Sequence, residues 1–443
     1  YLAKRVWGET VVGMPSSDGE HVFSISELPA IDIADSFALG QNARVTKPQG
    51  TRNFNVMQCW SVLEEGKLKW EVGGQKSLTE PKLAGALFLG APFPHDNELL
   101  VLGELNSDVY LFALTPQTGK LRWRQPIVTN YSSIAADQMR RSVGVVPAAD
   151  GSIIVCPTLS GFVVGFDAVT HALLWSFQYP VKVTPGSSSQ FNQFGQVEVG
   201  DFSPLLGRSA DVSVLIQDGV VLFAPSDGEN VYALSSENGK LLWQTGTGPS
   251  HVKALSGDWN IRYVAGAWNN MALIARDSSL VAMDLKTGRA LWSTPALPNG
   301  NQIVGRGVRK GGNYYLPTSG QDILQIKLET GEIVETVRME QPLGNLVSVG
   351  DRLLCASPFE LDCYSVREAF QSQLKEELQK SSVSKSGLTR QAELALAKRD
   401  FDSALSFLEQ AKGIDPNSAE VLMLMNKAGI AALTADFDKY VDR

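Results

Sequence analysis

The sequence predicts an all-β, seven-bladed propeller followed by a small α-helical segment, and three observations carry that expectation. A glycine–basic–apolar–apolar–tryptophan phrase returns along the chain at spacings of 43 (Gly288 to Gly331) to 68 (His171 to Gly239) residues, the period of a four-stranded blade. Short alternating apolar runs such as "VYALSS" (Val231–Ser236) and "LVAMDL" (Leu280–Leu285) are punctuated by Asp-Gly and Asn-Gly turns. Helical periodicity is nearly absent before about residue 366 and takes over after it.

Size and composition set the frame. A chain of 443 residues, 44% hydrophobic and 19% charged, is globular and large enough for one large domain plus a small one. A formal charge of -8 without a basic stripe argues against nucleic-acid binding. No run of about 18 apolar residues occurs, so no membrane span is expected. The first residue is Tyr1, and the chain is expected to be mature or incomplete at its N-terminus. Cys59, Cys156, Cys355 and Cys363 share no metal-ligand spacing and are expected as small buried strand residues.

Taken in order, the chain opens on "LAKRVW" (Leu2–Trp7), which has the spacing of an outer strand, and "VVGMP" (Val11–Pro15) then begins the first blade. Turn glycines Gly66, Gly119, Gly239, Gly288 and Gly331 mark the register, with His171 standing in the third repeat. Tryptophan follows four residues later (Trp70, Trp123, Trp175, Trp243, Trp292) until the sixth repeat, which has Glu335 there. Glycine supplies the positive φ of the turn between the third and outermost strands. The tryptophan then falls on the outermost strand, where its large apolar surface can pack between adjacent blades. "GDRLLCASPFELDCYSV" (Gly350–Val366) supplies two strands of a seventh blade, preceded by "NLVSV". Trp7 and its strand are expected to complete that blade and close the ring; eight blades are the alternative.

Residues Asp218–Trp243 resemble, nearly throughout, the repeat "DGxVYxxxxDGxLYALDxxTGKLLW" of the bacterial PQQ-like (quinoprotein-type) β-propeller proteins, and the likeness covers residues 1–366. That family includes quinone-dependent alcohol dehydrogenases and propeller scaffolds such as the lipoprotein of the outer-membrane assembly machine. The dehydrogenase branch implies eight blades, adjacent cysteines over the quinone, and a calcium held by acidic and amide side chains. This chain has no adjacent cysteines and no run resembling the calcium set. It also lacks a P-loop and an HExxH, and His21, His95, His171 and His251 lie far apart. The expectation is a non-enzyme with no catalytic, cofactor or metal residues, and a quinone-dependent dehydrogenase or other small-molecule enzyme is the alternative. The resemblance to bacterial envelope propellers implies a scaffold in the cell envelope, periplasmic or otherwise extracytoplasmic.

Strand alternation sorts the connections. B–C turns and D-to-A connections emerge on one face of the blades, A–B and C–D turns on the other. The long segments, Ser26–Asn55, Arg124–Gly144, Tyr179–Asp211 and Gly246–Tyr263, all map to the first face. Long loops on a rigid scaffold are where binding usually resides. Arg140, Arg141, Phe191, Phe194, Lys253, Trp259 and Arg262 are the candidate interaction residues there. The expected ligands are protein partners, in a multi-subunit or homo-oligomeric assembly, with envelope polysaccharide as an alternative.

After Val366 the composition turns to Glu, Lys, Gln, Ala and Leu. Phe370, Leu374 and Leu378 form one stripe of a linker helix within 367–384. Residues 385–443 resemble a tetratricopeptide repeat: Ala392 and Ala395 on a first helix, Phe401 in the turn, and Ala404, Leu408 and Ala411 on a second helix ended by Asp415-Pro416-Asn417.

Overall fold

The computed structural model describes residues 14–26, 54–130, 143–181, 213–228, 230–245, 261–357, 360–365 and 384–441, together with Val11, Ile134, Asp137 and Arg140. Seven antiparallel sheets follow one another along the chain, so the fold is a seven-bladed β-propeller with a small helical segment after it. Two compact units divide the chain, Tyr1–Asn345 and Leu346–Arg443.

The first unit holds blades one to six, each built from strands A to D in sequence order. Blade four is typical: Leu215–Gln217, Val220–Phe223, Tyr232–Ser235 and Leu241–Gln244. In blade two strand A is split, and Leu87–Phe88 and Phe93–His95 both pair with Glu98–Leu105. Inner strands such as Ile153–Pro157 and Val220–Phe223 are buried at every position, because both faces of a blade meet a neighbour. Alternation then assigns side chains to opposite interfaces. Ile153 and Val155 join a cluster with Val221 and Phe223 of blade four, while Ile154 and Cys156 join one with Leu100 and Leu102 of blade two. Five such clusters, each drawn from two successive blades, make up the apolar core of this unit.

The recurring phrase is the joint between blades. Gly66, Gly119, Gly239, Gly288 and Gly331 have φ of +79°, +66°, +67°, +67° and +74°, and His171 adopts the same conformation at +59°. Opposite each tryptophan on strand C sits a small residue: Cys59, Ala113, Gly165, Ala233 or Ala282. A Cβ at Gly165 would lie 2.3 Å from the Trp175 ring. The indole N–H then reaches into the next blade. Trp70, Trp175, Trp243 and Trp292 donate to the carbonyls of Pro116, Ser236, Leu285 and Leu328 at 2.8, 2.8, 2.8 and 2.9 Å. Each acceptor lies three residues before the next turn glycine.

Trp123 is the exception. Its next blade carries His171, which stacks on the indole at 3.9 Å between ring centroids. The Trp123 N–H turns instead to Glu98 of its own blade, 3.1 Å from each carboxylate oxygen. The sixth repeat departs as a pair, since Gln325 faces Glu335 where a small residue faces tryptophan elsewhere.

Every outer strand of these six blades also carries a bulge at one place. Lys69, Arg122, Leu174, Leu242, Leu291 and Val334, each immediately before the tryptophan or Glu335, have no partner on strand C. The extra residue resets the alternation so that the indole faces the neighbouring blade.

The second unit begins one residue into the seventh sheet, whose strands are Asn345–Val349, Arg352–Ala356 and Leu361–Ser365. The strand expected from Leu2–Trp7 and the linker helix expected at 367–384 lie outside the described residues, apart from Ser384. Helices α1 (Lys385–Ala397), α2 (Phe401–Ile414), α3 (Ala419–Ala435) and α4 (Phe437–Tyr440) follow. Ser384 caps α1 through the Gly387 N–H, and Asp400 caps α2 through the Ser403 N–H. Ala392, Ala395, Ala404, Leu408 and Ala411 are all buried, the small residues letting α1 and α2 approach closely. Phe401 is not in the turn: with Asp400 as cap, it is the first residue of α2. Cys59, Cys156 and Cys355 are buried as expected, but Cys363 is exposed, and none of the four is in a disulfide.

Candidate functional site

On the B–C face the blades are tied together by buried polar locks. Glu104, near the end of strand B of blade two, is 3% exposed. Its carboxylate accepts hydrogen bonds from the Ile134 N–H (2.9 Å), the Asn130 amide (3.3 Å) and the Arg140 guanidinium. Arg140 also donates its Nε–H to Asp137 at 2.9 Å. The Asn130 side chain accepts in turn from Ser160 Oγ of blade three at 2.9 Å. Asp227 repeats the device between blades three and four, accepting from the Gly161 N–H (3.0 Å) and the Tyr179 hydroxyl (2.8 Å). Burial pushes the Tyr179 hydroxyl well above its ordinary pKa, and the Asp227 charge adds to the effect, so Tyr179 remains a donor. Nearer the surface, Arg262 Nε donates to Asp277 of its own blade at 2.5 Å and an Arg262 terminal nitrogen to Gln302, on the connection to blade six, at 3.0 Å.

Two of the seven candidate interaction residues are thereby placed. Arg140, expected on an exposed loop surface, is instead 5% exposed, its charge engaged by Glu104 and Asp137. Arg262 is about one-third exposed and stays on the face, locked to Asp277. Arg141, Phe191, Phe194, Lys253 and Trp259 lie outside the described residues. Glu104 and Asp227 are the polar residues that sequence reasoning missed. The available signal was Glu104, a carboxylate after the apolar run "LLVLG" within the strand "ELLVLGEL".

Among the described residues of this face the two most buried carboxylates, Glu104 and Asp227, each accept from more than one donor, which suits a fixed brace between blades. Among the described residues no three His, Cys, Asp or Glu side chains converge to hold a metal ion. Burial pushes the Cys59 thiol up to about 12 and raises that of Cys156 as well, which removes both from nucleophilic work at neutral pH.

Blades joined by tryptophan, turn glycine and a small cross-strand partner define the chain as a propeller of PQQ-type repeats. The profile of the family described as outer membrane protein assembly factor BamB matches residues 58–201 and 160–373, and the chain belongs to that family. A segment of 119 residues is 30% identical to the dehydrogenase subunit of the quinone-type alcohol dehydrogenase of Acetobacter aceti, covering 25% of this chain and 16% of that protein. The chain thus spans about a sixth of the curated relative it matches. Similar solved structures include BamB from Moraxella catarrhalis (16% identity, TM-score 0.45, covering 71% of this chain and 80% of that one). A europium-containing methanol dehydrogenase is another (14% identity, TM-score 0.40, covering 57% and 52%).

Proposed function

We propose that this chain is a non-enzymatic interaction subunit of a bacterial cell-envelope assembly, periplasmic or otherwise extracytoplasmic. It binds protein partners through the B–C face and through a helical tail that acts as a tetratricopeptide-like module. Membership of the BamB family is the observation that carries this reading. The polar locks support it, because buried hydrogen bonds from Glu104 and Asp227 fix neighbouring blades to one another on that face. The close-packed alanines of α1 and α2 suit a repeat that presents a helical surface.

The match to a quinone-type alcohol dehydrogenase favours a second reading, an enzyme that uses a bound quinone. The two separate in one experiment. Purified protein is incubated with PQQ and calcium and assayed for dye reduction with a panel of alcohols, alongside affinity capture by the full chain and by a chain lacking 385–443. The interaction reading expects no turnover and a captured partner that depends on the tail. Saturable quinone binding with turnover overturns it.

A further inference from the structure

The opposite face, where the A–B and C–D turns emerge, carries a feature that the repeat does not explain. In blades one to six the last residue of strand A is Ser17, His95, Asp150, Gln217, Trp268 and Lys310. Five are polar or charged, as an end beside a solvent-facing turn requires; blade five alone places an indole there. Trp268 is half-buried and leads into an Asn269–Asn270 turn in which both residues have positive φ (+49° and +59°). Its ring lies 6.4 Å from that of Tyr314, with the Arg309 guanidinium 5.3 Å above it.

Trp268 is one wall of an open cleft of about 380 Å³ between blades five and six. Trp292, Met271 and Leu291 line it too, with Arg309 and Lys327 at its rim. Leu291 is the bulge residue of its strand and is 45% exposed. Two indoles, a thioether and a leucine make a surface for an aromatic side chain. The bordering turns carry Lys286, Arg289, Arg309, Lys310 and Lys327 against Asp284, Glu329 and Glu332, a positive margin in a chain of net charge -8. Asp284 accepts from the Lys286 and Thr287 N–H groups of its own turn and from the Asn270 amide of the neighbouring A–B turn, and Glu329 pairs with Lys327 at 3.3 Å.

We infer that this cleft docks an extended peptide segment of a partner protein, an aromatic side chain seated against Trp268 and flanking Asp or Glu residues facing Arg309 and Lys327. The inference rests on the interaction-subunit reading only in expecting a protein partner, and it adds a second binding face.

The test uses the full chain and a fluorescent ten-residue peptide with one phenylalanine between glutamates. Two companions replace the phenylalanine by alanine or the glutamates by lysines, and maltotriose and chitotriose serve as saccharide competitors. Binding is expected on the order of 10–100 µM. It should weaken at least about tenfold with either companion peptide, and likewise in Trp268→Gln and Arg309→Glu. Trp268→Gln copies what blade four has at that position, and Gln217→Ala is the control expected to bind as the parent does. Thermal melts verify that the variants are folded. Equal binding of all three peptides, binding unchanged in Trp268→Gln, displacement by a saccharide, or no binding each overturns the proposal. If the peptide fails while tail-dependent capture succeeds, the cleft assignment falls and the wider reading stands. If the peptide binds as expected while capture fails, the cleft stands and the wider reading falls.

Discussion

Gly239 has no side chain because the Trp175 indole of the preceding blade stands where one would go. A Cβ built at Gly239 would fall 2.6 Å from that ring, and the Trp175 N–H donates to Ser236 at 2.8 Å in the same turn. Gly119 against Trp70 and Gly331 against Trp292 repeat the contact, at 2.7 and 2.4 Å. Turn glycine and tryptophan are therefore two halves of one joint between consecutive blades.

Gly239→Ala should show both functions of that glycine. The positive φ costs about 1 kcal/mol for any other residue, and overpacking against the ring adds about 1–3 kcal/mol. Gly66→Ala has the same conformation with nothing within 4 Å, so it should lose only the first amount. Trp175→Phe, which leaves the Ser236 carbonyl without its donor, should cost about 1 kcal/mol or more. Urea denaturation of the three variants ranks them, and equal losses at Gly239 and Gly66 would refute the joint.

The buried lock at Glu104 predicts strong coupling. Arg140→Met leaves a buried carboxylate without its charge partner and should cost about 3–5 kcal/mol. Glu104→Gln combined with Arg140→Met should lose less than the two single changes added together, because the uncompensated charge is gone. A double-mutant cycle in denaturant measures this, and strict additivity would contradict it.

The turn of blade three should weaken in acid. The Thr170 N–H and hydroxyl hold the Asp167 carboxyl below its ordinary value, assisted by the Val169 N–H. A depressed carboxylate contributes stability above its unfolded pKa, and that contribution is lost as pH falls through the folded value. The stability difference between the parent and Asp167→Asn should accordingly be present near neutrality and shrink below about pH 4. Denaturation curves at pH 7, 5 and 3 read the trend; a difference that grows toward pH 3 has the wrong sign.

Thiol chemistry should report the burial pattern. With Cys363 exposed and Cys59, Cys156 and Cys355 buried, native protein should react rapidly with about one equivalent of a thiol reagent. The other three should react only on unfolding. Rapid loss of two or more equivalents from folded protein would contradict the placement.

Much of this architecture is legible in the sequence because it is local. A glycine at a tight turn and a tryptophan four residues later lie within one hairpin, so their spacing survives in the sequence. The bulge is not legible, since its residue is Lys69 in one blade and Leu242 in another; only strand pairing reveals it. Arg140 misleads for the opposite reason. Its partner Glu104 is 36 residues away, and nothing short-range marks an arginine in a connecting loop as buried. The second helix of the tail is readable from its alanines, but Phe401 falls inside it because the Asp400 cap starts the helix one residue earlier than the aromatic suggests.

The six bulges have a consequence beyond aiming the indoles. Strand D of a blade presents one row of backbone N–H and C=O groups outward, a template that any stray extended chain could join. One residue out of step in every such row breaks the regular spacing that an incoming strand would need. The irregularity that seats each tryptophan thus also guards the perimeter, and blades with Leu174, Leu242 and Leu291 at that position can show apolar side chains to solvent without inviting strands to add on.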